Sequence, residues 1–490
     1  MSRRISALFV VLCATACARE EYTRTFDKSV NVQSGAPVSI EHKFGSITVR
    51  AHAGSAVTIH AEIRVSASDA QRAQDFANRV EILVEPSSGV SIRTRYPETS
   101  SSFFGGRNIS YSVHYEVTMP ESSPLSVRNA FGAVEATGLK AGSDITNSHG
   151  NLTFRDGRGS SRLQNSFARI EAVNNQGDLT IETNNGGVQA SDITGRLVVR
   201  DRFANVTVAR AAKGVSINNS NGAVDLSDSG GSGEVRNSFG NVTVRNFRGD
   251  LIVNTTNATV EAEHIQGPAE LNTTFGAVRF TDIGQRLSIR TNNSRVEGTD
   301  VRGPLSVIDS FGPVVASGIQ GEVRVESGNG GVTLERIAGA ASVRTSFGTV
   351  QAADINGALT VQNNNGAVKA VNVKGANVTT SFGGVLLDGV AGPIQVQNQN
   401  GAVEATSSSH GACQPIIIRT SFSTVRVHLP AEASYRVTAN TSFGKIRTDF
   451  PLSVSGSISS DSLEGTIGGG KCEMRLTDNN GSIEILRGGA

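Results

Sequence analysis

Residues 346–370 read SFGTVQAADINGALTVQNNNGAVKA, one pattern written nearly twice. Phe347 and Asn365 stand 18 positions apart, inside the small triplets Ser346-Phe347-Gly348 and Asn364-Asn365-Gly366. Three residues after each comes an aliphatic, Val350 and Val368, and five after comes an alanine, Ala352 and Ala370, with polar Gln351 and Lys369 between them. Alternation of period two marks a half-buried strand. A second alternating pair, Leu359 and Val361, follows Gly357, where a residue free to take positive φ lets the chain turn sharply. Each eighteen therefore reads strand, turn, strand, turn.

The same template runs through most of the chain. Phe131, Phe167, Phe203, Phe239, Phe275, Phe311 and Phe347 are each 36 residues apart, and Phe382 follows at 35. Halfway between them stand His149, Asn185, Asn221, Asn257, Asn293, Asn329, Asn365 and Asn400. The third residue after every such landmark is aliphatic, and the fifth is nearly always apolar, Gly298 being an exception. One unit cannot cover its own apolar stripe. Stacked units can, because each strand pairs with its equivalent in the next coil and the inward aliphatics form columns.

The expected fold is thus all-β, a parallel β-helix or β-solenoid of 18-residue units in 36-residue pairs, right-handed by the general crossover rule. One coil could be 18 or 36 residues. Stacking of Phe on Phe and Asn on Asn, each forming a structural ladder, favours 36. The Phe rings are expected to fill or seal a corner.

The ends depart from the template. Before residue 126 lie alternating segments such as Val57-Ile59-Ala61 and one helical stretch, which Ser68 or Asp69 can cap and which puts Ala73, Phe76, Ala77 and Val80 on one face. After Gly401 the Phe spacing changes, 40 from Phe382 to Phe422 and 21 from Phe422 to Phe443. The expected organisation is a signal segment at 1–17, a β-rich cap with one helix at 18–125, repeats at 126–405, and last rungs with an irregular cap at 406–490. Atypical ends protect the open edges of a stack.

Arg3 and Arg4 precede an apolar run, Ala7 to Cys13, and the small residues Ala14, Thr15 and Ala16, which is the pattern of a secretory signal. Cys17 directly after it fits a bacterial lipobox whose cysteine is acylated, although Ala14 stands where a lipobox usually has Leu; free export is the alternative. In an oxidising compartment Cys413 and Cys472 can pair across 59 residues, worth at most about 4 kcal/mol on the chain-entropy model, or remain buried thiols.

The 45 Lys and Arg against 44 Asp and Glu leave a formal charge of +1, with no basic excess for nucleic acid. No nucleophile elbow, zinc spacing, phosphate loop or calcium-roll signature occurs, so no catalytic, cofactor or metal residue is assigned. One acidic column recurs seven residues after the landmark, at Asp156, Asp192, Asp228, Asp282, Asp300 and Asp354, with Asn174, Asn246 and Asn372 in the same place. Arg210, Arg336, His264 and Gly318 also occupy it, which favours a turn position over a cation or lyase site.

The reiterated Asn237-Ser238-Phe239-Gly240-Asn241-Val242-Thr243-Val244, the opening Ile40-Glu41-His42-Lys43-Phe44-Gly45-Ser46-Ile47-Thr48-Val49 and the close at Leu429-Pro430-Ala431, Thr441-Ser442-Phe443-Gly444-Lys445-Ile446 and Asp449-Phe450-Pro451 resemble a bacterial β-strand-repeat family of unknown function that carries the label "putative adhesin". The resemblance spans nearly all of the chain after the signal segment. It implies an envelope or surface location and a non-enzymatic task, binding an envelope or surface protein or a glycan. The expectation is an exported, lipid-anchored, adhesin-like or scaffold protein without a transmembrane helix or cofactor. A polysaccharide-active β-helix enzyme and an envelope stress or regulatory component acting through a protein partner are the alternatives.

Overall fold

Val332, Leu334 and Ile337 point inward from one strand, and their partners in the next coil are Val350, Ala352 and Ile355, all buried. The pairing is parallel and the offset is 18 residues. The protein, described here as a computed structural model over residues 19–98, 109–409 and 413–488, is a parallel β-solenoid built on that step. Cys17 and the signal segment at 1–17 lie outside the described residues.

The step corrects the expectation of a 36-residue coil. Ala341 pairs with Leu359, Leu287 with Leu305, and Val260 with Val278, so every landmark triplet lies over the next one and Phe alternates with Asn. Isolated bridges Asn257↔Phe275 and Phe275↔Asn293 record this directly. The physical reason is that inward positions decide the coil. Val, Leu, Ile and Ala recur at every eighteen and need the same covered environment each time, whereas the landmark side chains lie outside the core.

Within a coil the alternation changes parity twice, once at the landmark corner between Thr345 and Val350 and once inside the strand that follows a landmark. In Val332–Ile337 the buried residues are the first, third and sixth, because Arg336 adopts φ 52° and turns the chain before Ile337. The same left-handed conformation occurs at Asp156, Asn174, Asp192, Arg210, Asp228, Asn246, His264, Asp282, Asp300, Asp354 and Asn372, and at Gly318. This is the acidic column of the sequence. Its Asp and Asn are turn residues, the types that tolerate this conformation best without being glycine.

Gly298, the exception to the apolar rule, is explained by its neighbour. The buried ring of Phe280 lies one coil below, and a Cβ at Gly298 would sit 2.5 Å from its Cγ. The large ring fills the volume its successor gives up.

The chain divides into two compact units, 1–186 and 187–490. In the first, Val38–Glu41 pairs on one edge with Leu125–Phe131 and on the other with Val90–Arg95, a strand reached only after a long excursion. That excursion includes Ala56–Ala67, which is antiparallel to Glu20–Asn31 on one edge and to Ser110–Pro120 on the other. It also carries the helix Ala70–Arg79, capped by Asp69 accepting from the Arg72 N–H and burying Ala73, Phe76 and Ala77. Arg24 and the strand bearing it lie against the helix end, Arg24 donating to the Val80 carbonyl at 2.5 Å.

In the second unit the regular step holds from Val188 to Val403, save one contraction at the corner before Gly375, where the pairing offset falls from 18 to 17. This is the origin of the 35-residue Phe spacing. Beyond it, Ile394 pairs with Ile416, an offset of 22. The last coil is then out of sequence order. Cys472–Asp478 pairs with Ile416–Arg419 on one edge and Tyr435–Thr441 on the other, while Ser462–Ile467 runs antiparallel along the outer edge of Tyr435–Thr441. The last Asn-Asn-Gly triplet of the sequence, Asn479-Asn480-Gly481, therefore lies between the triplets at Phe422 and Phe443, inside the stack. Cys413 and Cys472 form a disulfide with Cα atoms 5.8 Å apart.

Candidate functional site

Two residues before each landmark the chain carries a polar side chain that points inward. Asn363 is buried, and its Nδ2 donates to the carbonyls of Gly348 in the preceding coil and Gly366 in its own, both at 2.9 Å. Asn398 does the same to Gly383 and Gly401 at 2.9 and 2.8 Å, and Asn237 to Gly222 and Gly240 at 2.9 and 2.7 Å. In the N-terminal unit Asn147 bridges Gly132 and Gly150, at 3.0 and 2.8 Å. Thr183, Asp201, Asp309 and Ser327 hold the equivalent place as acceptors: the N–H of Gly186 donates to Thr183 at 3.1 Å, that of Ala204 to Asp201 at 2.9 Å, and those of Gly312 and Gly330 to Asp309 and Ser327. Burial pushes the Asp201 carboxyl above its usual range, and the surrounding backbone N–H groups offset only part of that rise.

Sequence reasoning missed this column. It is the hydrogen-bonded ladder of the fold, while the landmark Asn185, Asn221, Asn257, Asn293, Asn329, Asn365 and Asn400 are exposed on the outside. The signal was present as a polar residue recurring at 18 on the parity of the aliphatics, at Asn129, Asn147, Asn165, Asn219, Asn237, Asn363 and Asn398.

The corner so fixed leaves the landmark no way inward. In the second unit Phe203, Phe239, Phe275, Phe311, Phe347, Phe382, Phe422 and Phe443 are between 46 and 83% exposed. In the first unit Phe131 and Phe167 are exposed on either side of His149, whose ring is stacked 4.6 Å from each. The rings do not fill or seal a corner. They stand on its outer edge, and backbone bonds such as Asn365 N–H to Ser346 at 2.9 Å and Phe382 N–H to Asn364 at 2.9 Å hold each one in register with the amide beside it.

The second surface feature is the left-handed column. Arg210 binds Asp192 through two nitrogens at 2.6 and 2.7 Å, Asn246 donates to Asp228 at 2.9 Å, and Asn372 to Asp354 at 2.9 Å. His264 lies 3.0 Å from Asp282, which also takes Arg302 at 3.2 Å. Along this column lies a groove of about 670 Å³ whose lining includes Asp228, Asn246, Arg248, His264, Asp282 and Arg302. The hydrogen bond from Arg210 holds the Asp192 carboxyl below its usual range, and that from His264, aided by Arg302, does the same for Asp282. A general acid needs the opposite shift. Among the described residues no group of three or more His, Cys, Asp or Glu is placed to hold a metal ion, and no helix is long and apolar enough to cross a membrane.

No protein-family model and no curated protein matches the chain. Among solved structures, a putative cell adhesion protein from Clostridium sporogenes aligns over 95% of this chain and 100% of its own at 8% identity, with a TM-score of 0.15. A putative adhesin from Parabacteroides distasonis aligns over 64% of this chain and 97% of its own at 12% identity, with a TM-score of 0.18. Superpositions this loose decide neither fold nor role.

Proposed function

We propose that the chain works by binding, as an adhesin-like β-solenoid of the bacterial cell envelope, with the Phe-bearing outer corner as its contact surface and an acylated Cys17 as its tie to the membrane. The observation that carries the reading is the row of Phe rings held in solvent by a buried hydrogen-bonded corner. Water is a poor neighbour for such a row, and exposed apolar surface repeated along one line marks a contact site. The secretion pattern at 1–17 supplies the location and Cys17 the anchor.

The test is retention of the purified chain on isolated bacterial envelopes, compared with a variant carrying Phe311→Ser, Phe347→Ser and Phe382→Ser. Retention lost in the variant supports the corner as the contact surface; equal retention, or none by either protein, removes it. Mass spectrometry of the mature N-terminus tests the anchor, since a diacylated Cys17 is expected and an unmodified start rejects it. The polysaccharide-active alternative has less support, because Asp192 and Asp282 are paired and held below the usual carboxylate range and Asp354 accepts from Asn372. Turnover abolished at Asp282 or Asp354 would restore it.

A further inference from the structure

The coils advance by one strand spacing, about 4.8 Å, so consecutive Phe rings in the second unit stand about 9.6 Å apart with one Asn halfway between. From Phe311 to Asn400 the outer line reads Phe311, Asn329, Phe347, Asn365, Phe382, Asn400. The residues flanking each landmark on this line are Ser310, Gly312, Gly328, Gly330, Ser346, Gly348, Asn364, Gly366, Ser381, Gly383, Gln399 and Gly401, and none is charged. Asn364 and Gln399 are exposed, and Ser346 and Ser381 half-buried, so amides and hydroxyls border the rings.

We propose that this line binds a neutral, extended β-1,4-linked glycan lying along the stack, each Phe packing against the C–H face of every second pyranose and each Asn hydrogen-bonding the hydroxyls of the sugar between. The assignment deepens the binding role proposed above and rests on it. Three features select this occupant. The electron-rich face of an aromatic ring attracts the partly positive C–H bonds of a pyranose, and Phe provides that face without a polar group of its own to satisfy. An extended β-1,4 chain flips successive rings, so like faces recur every two sugars, an advance comparable to two coils. The absence of charge on the line gives an anionic polymer or a basic peptide no complement, whereas a neutral glycan needs none. Because the scaffold is a continuous ladder, the rings are positioned before binding and little ordering cost falls on the protein.

The experiment is calorimetric titration of the mature chain with cello- and chito-oligosaccharides of two to six sugars, with malto-oligosaccharides as the α-linked comparison. Affinity should rise in steps at four and at six sugars as each added pair reaches another Phe, by roughly 3- to 10-fold per step on the scale of an aromatic contact. Replacing Phe203, Phe275, Phe347 and Phe422 together by Ser, which removes only exposed rings and leaves no two exposed rings of the second unit two coils apart, should abolish the steps while hydrogen exchange of the buried strands stays as in the wild type. No binding by any β-linked series, a smooth rise without steps, equal binding of the α-linked series, or steps that survive this fourfold substitution would each overturn the glycan assignment. Sedimentation showing that the wild-type chain self-associates through the same Phe residues would overturn it too, in favour of a second copy as occupant. The envelope-retention assay separates the levels. Phe-dependent retention with blank titrations rejects the glycan alone, and loss of both rejects the binding role as well.

Discussion

Asn363→Ala should loosen the stack where Asn365→Ala, two residues along, should not. The side chain of Asn363 is 3% exposed and satisfies two carbonyls, Gly348 in one coil and Gly366 in the next. Truncation leaves both oxygens without that donor; Gly348 is buried and Gly366 half-buried. An orphaned buried acceptor costs about 1–3 kcal/mol, and with one of the two partly wetted the sum comes to roughly 2–4 kcal/mol. Local opening of the adjoining coils should therefore rise roughly 30- to 700-fold.

A global melt is the wrong assay, because repeat arrays open piecewise. Hydrogen exchange read by mass spectrometry, under conditions where the opening equilibrium sets the rate, resolves the effect by coil. Peptides covering Ala341–Thr345 and Val350–Asn363 should exchange faster in Asn363→Ala, those covering Val188–Ile193 should not, and Asn365→Ala should stay within a few-fold of wild type everywhere. Equal effects from the two substitutions would refute the assignment of the ladder to the inner column. Asn363→Asp should fall between them, since Asp201 and Asp309 show that an acceptor fits here once the corner offers an N–H instead.

The pH dependence of the N-terminal unit should come largely from His42, which is buried with Nδ1 3.0 Å from Thr94 Oγ1, its ring edge-on to Tyr115 and beside Tyr96, with His114 nearby. Burial lowers its pKa to about 4, so the folded state refuses a proton the unfolded chain accepts; stability present above pH 6.5 should decline by about 3 kcal/mol as the pH falls to 4. With no Trp and four of five tyrosines before residue 116, tyrosine fluorescence follows this unit in denaturant titrations, and an equal decline in His42→Gln would exclude His42 as the cause. Gly298→Val should destabilise its coil by about 1–3 kcal/mol through collision with Phe280, with part recovered in the Phe280→Val double variant, as exchange in Val278–Ile283 and Val296–Val301 would report. Replacing Cys413 and Cys472 by Ser should cost up to about 4 kcal/mol for a 59-residue separation, visible as faster exchange in Cys472–Asp478 and Ile416–Arg419 but not in Val188–Ile193.

Much of the site was written in the sequence but under a misleading signpost. The conspicuous Phe and Asn landmarks suggested like-on-like stacking and hence a double-length coil, yet they lie outside the core and had no say in its period. The quieter columns did. Val332, Val350 and Val368 repeat at 18, and so do the buried Asn129, Asn147 and Asn165, although a polar residue is easily taken for an outward one. The helix face of Ala73, Phe76 and Ala77 and its Asp69 cap were legible for the usual local reasons, because both depend on residues three and four apart.

Sequence by itself determined the repeated unit: the parity of its aliphatics, the Asp and Asn turns, and the glycine where the Phe280 ring needed room. These are contacts between a residue and its equivalent one coil away, so the period alone encodes them. Tertiary structure decided which way the Phe rings face, since parity cannot be carried by inspection across the landmark corner, where buried Thr345 is followed by exposed Phe347 and then buried Val350. It also decided the order of coils at the ends, where Val38–Glu41 and Cys472–Asp478 each lie between neighbours distant in sequence. Parallel strands of one alternating pattern offer interchangeable edges, and only the assembled stack fixes which edge each of them fills.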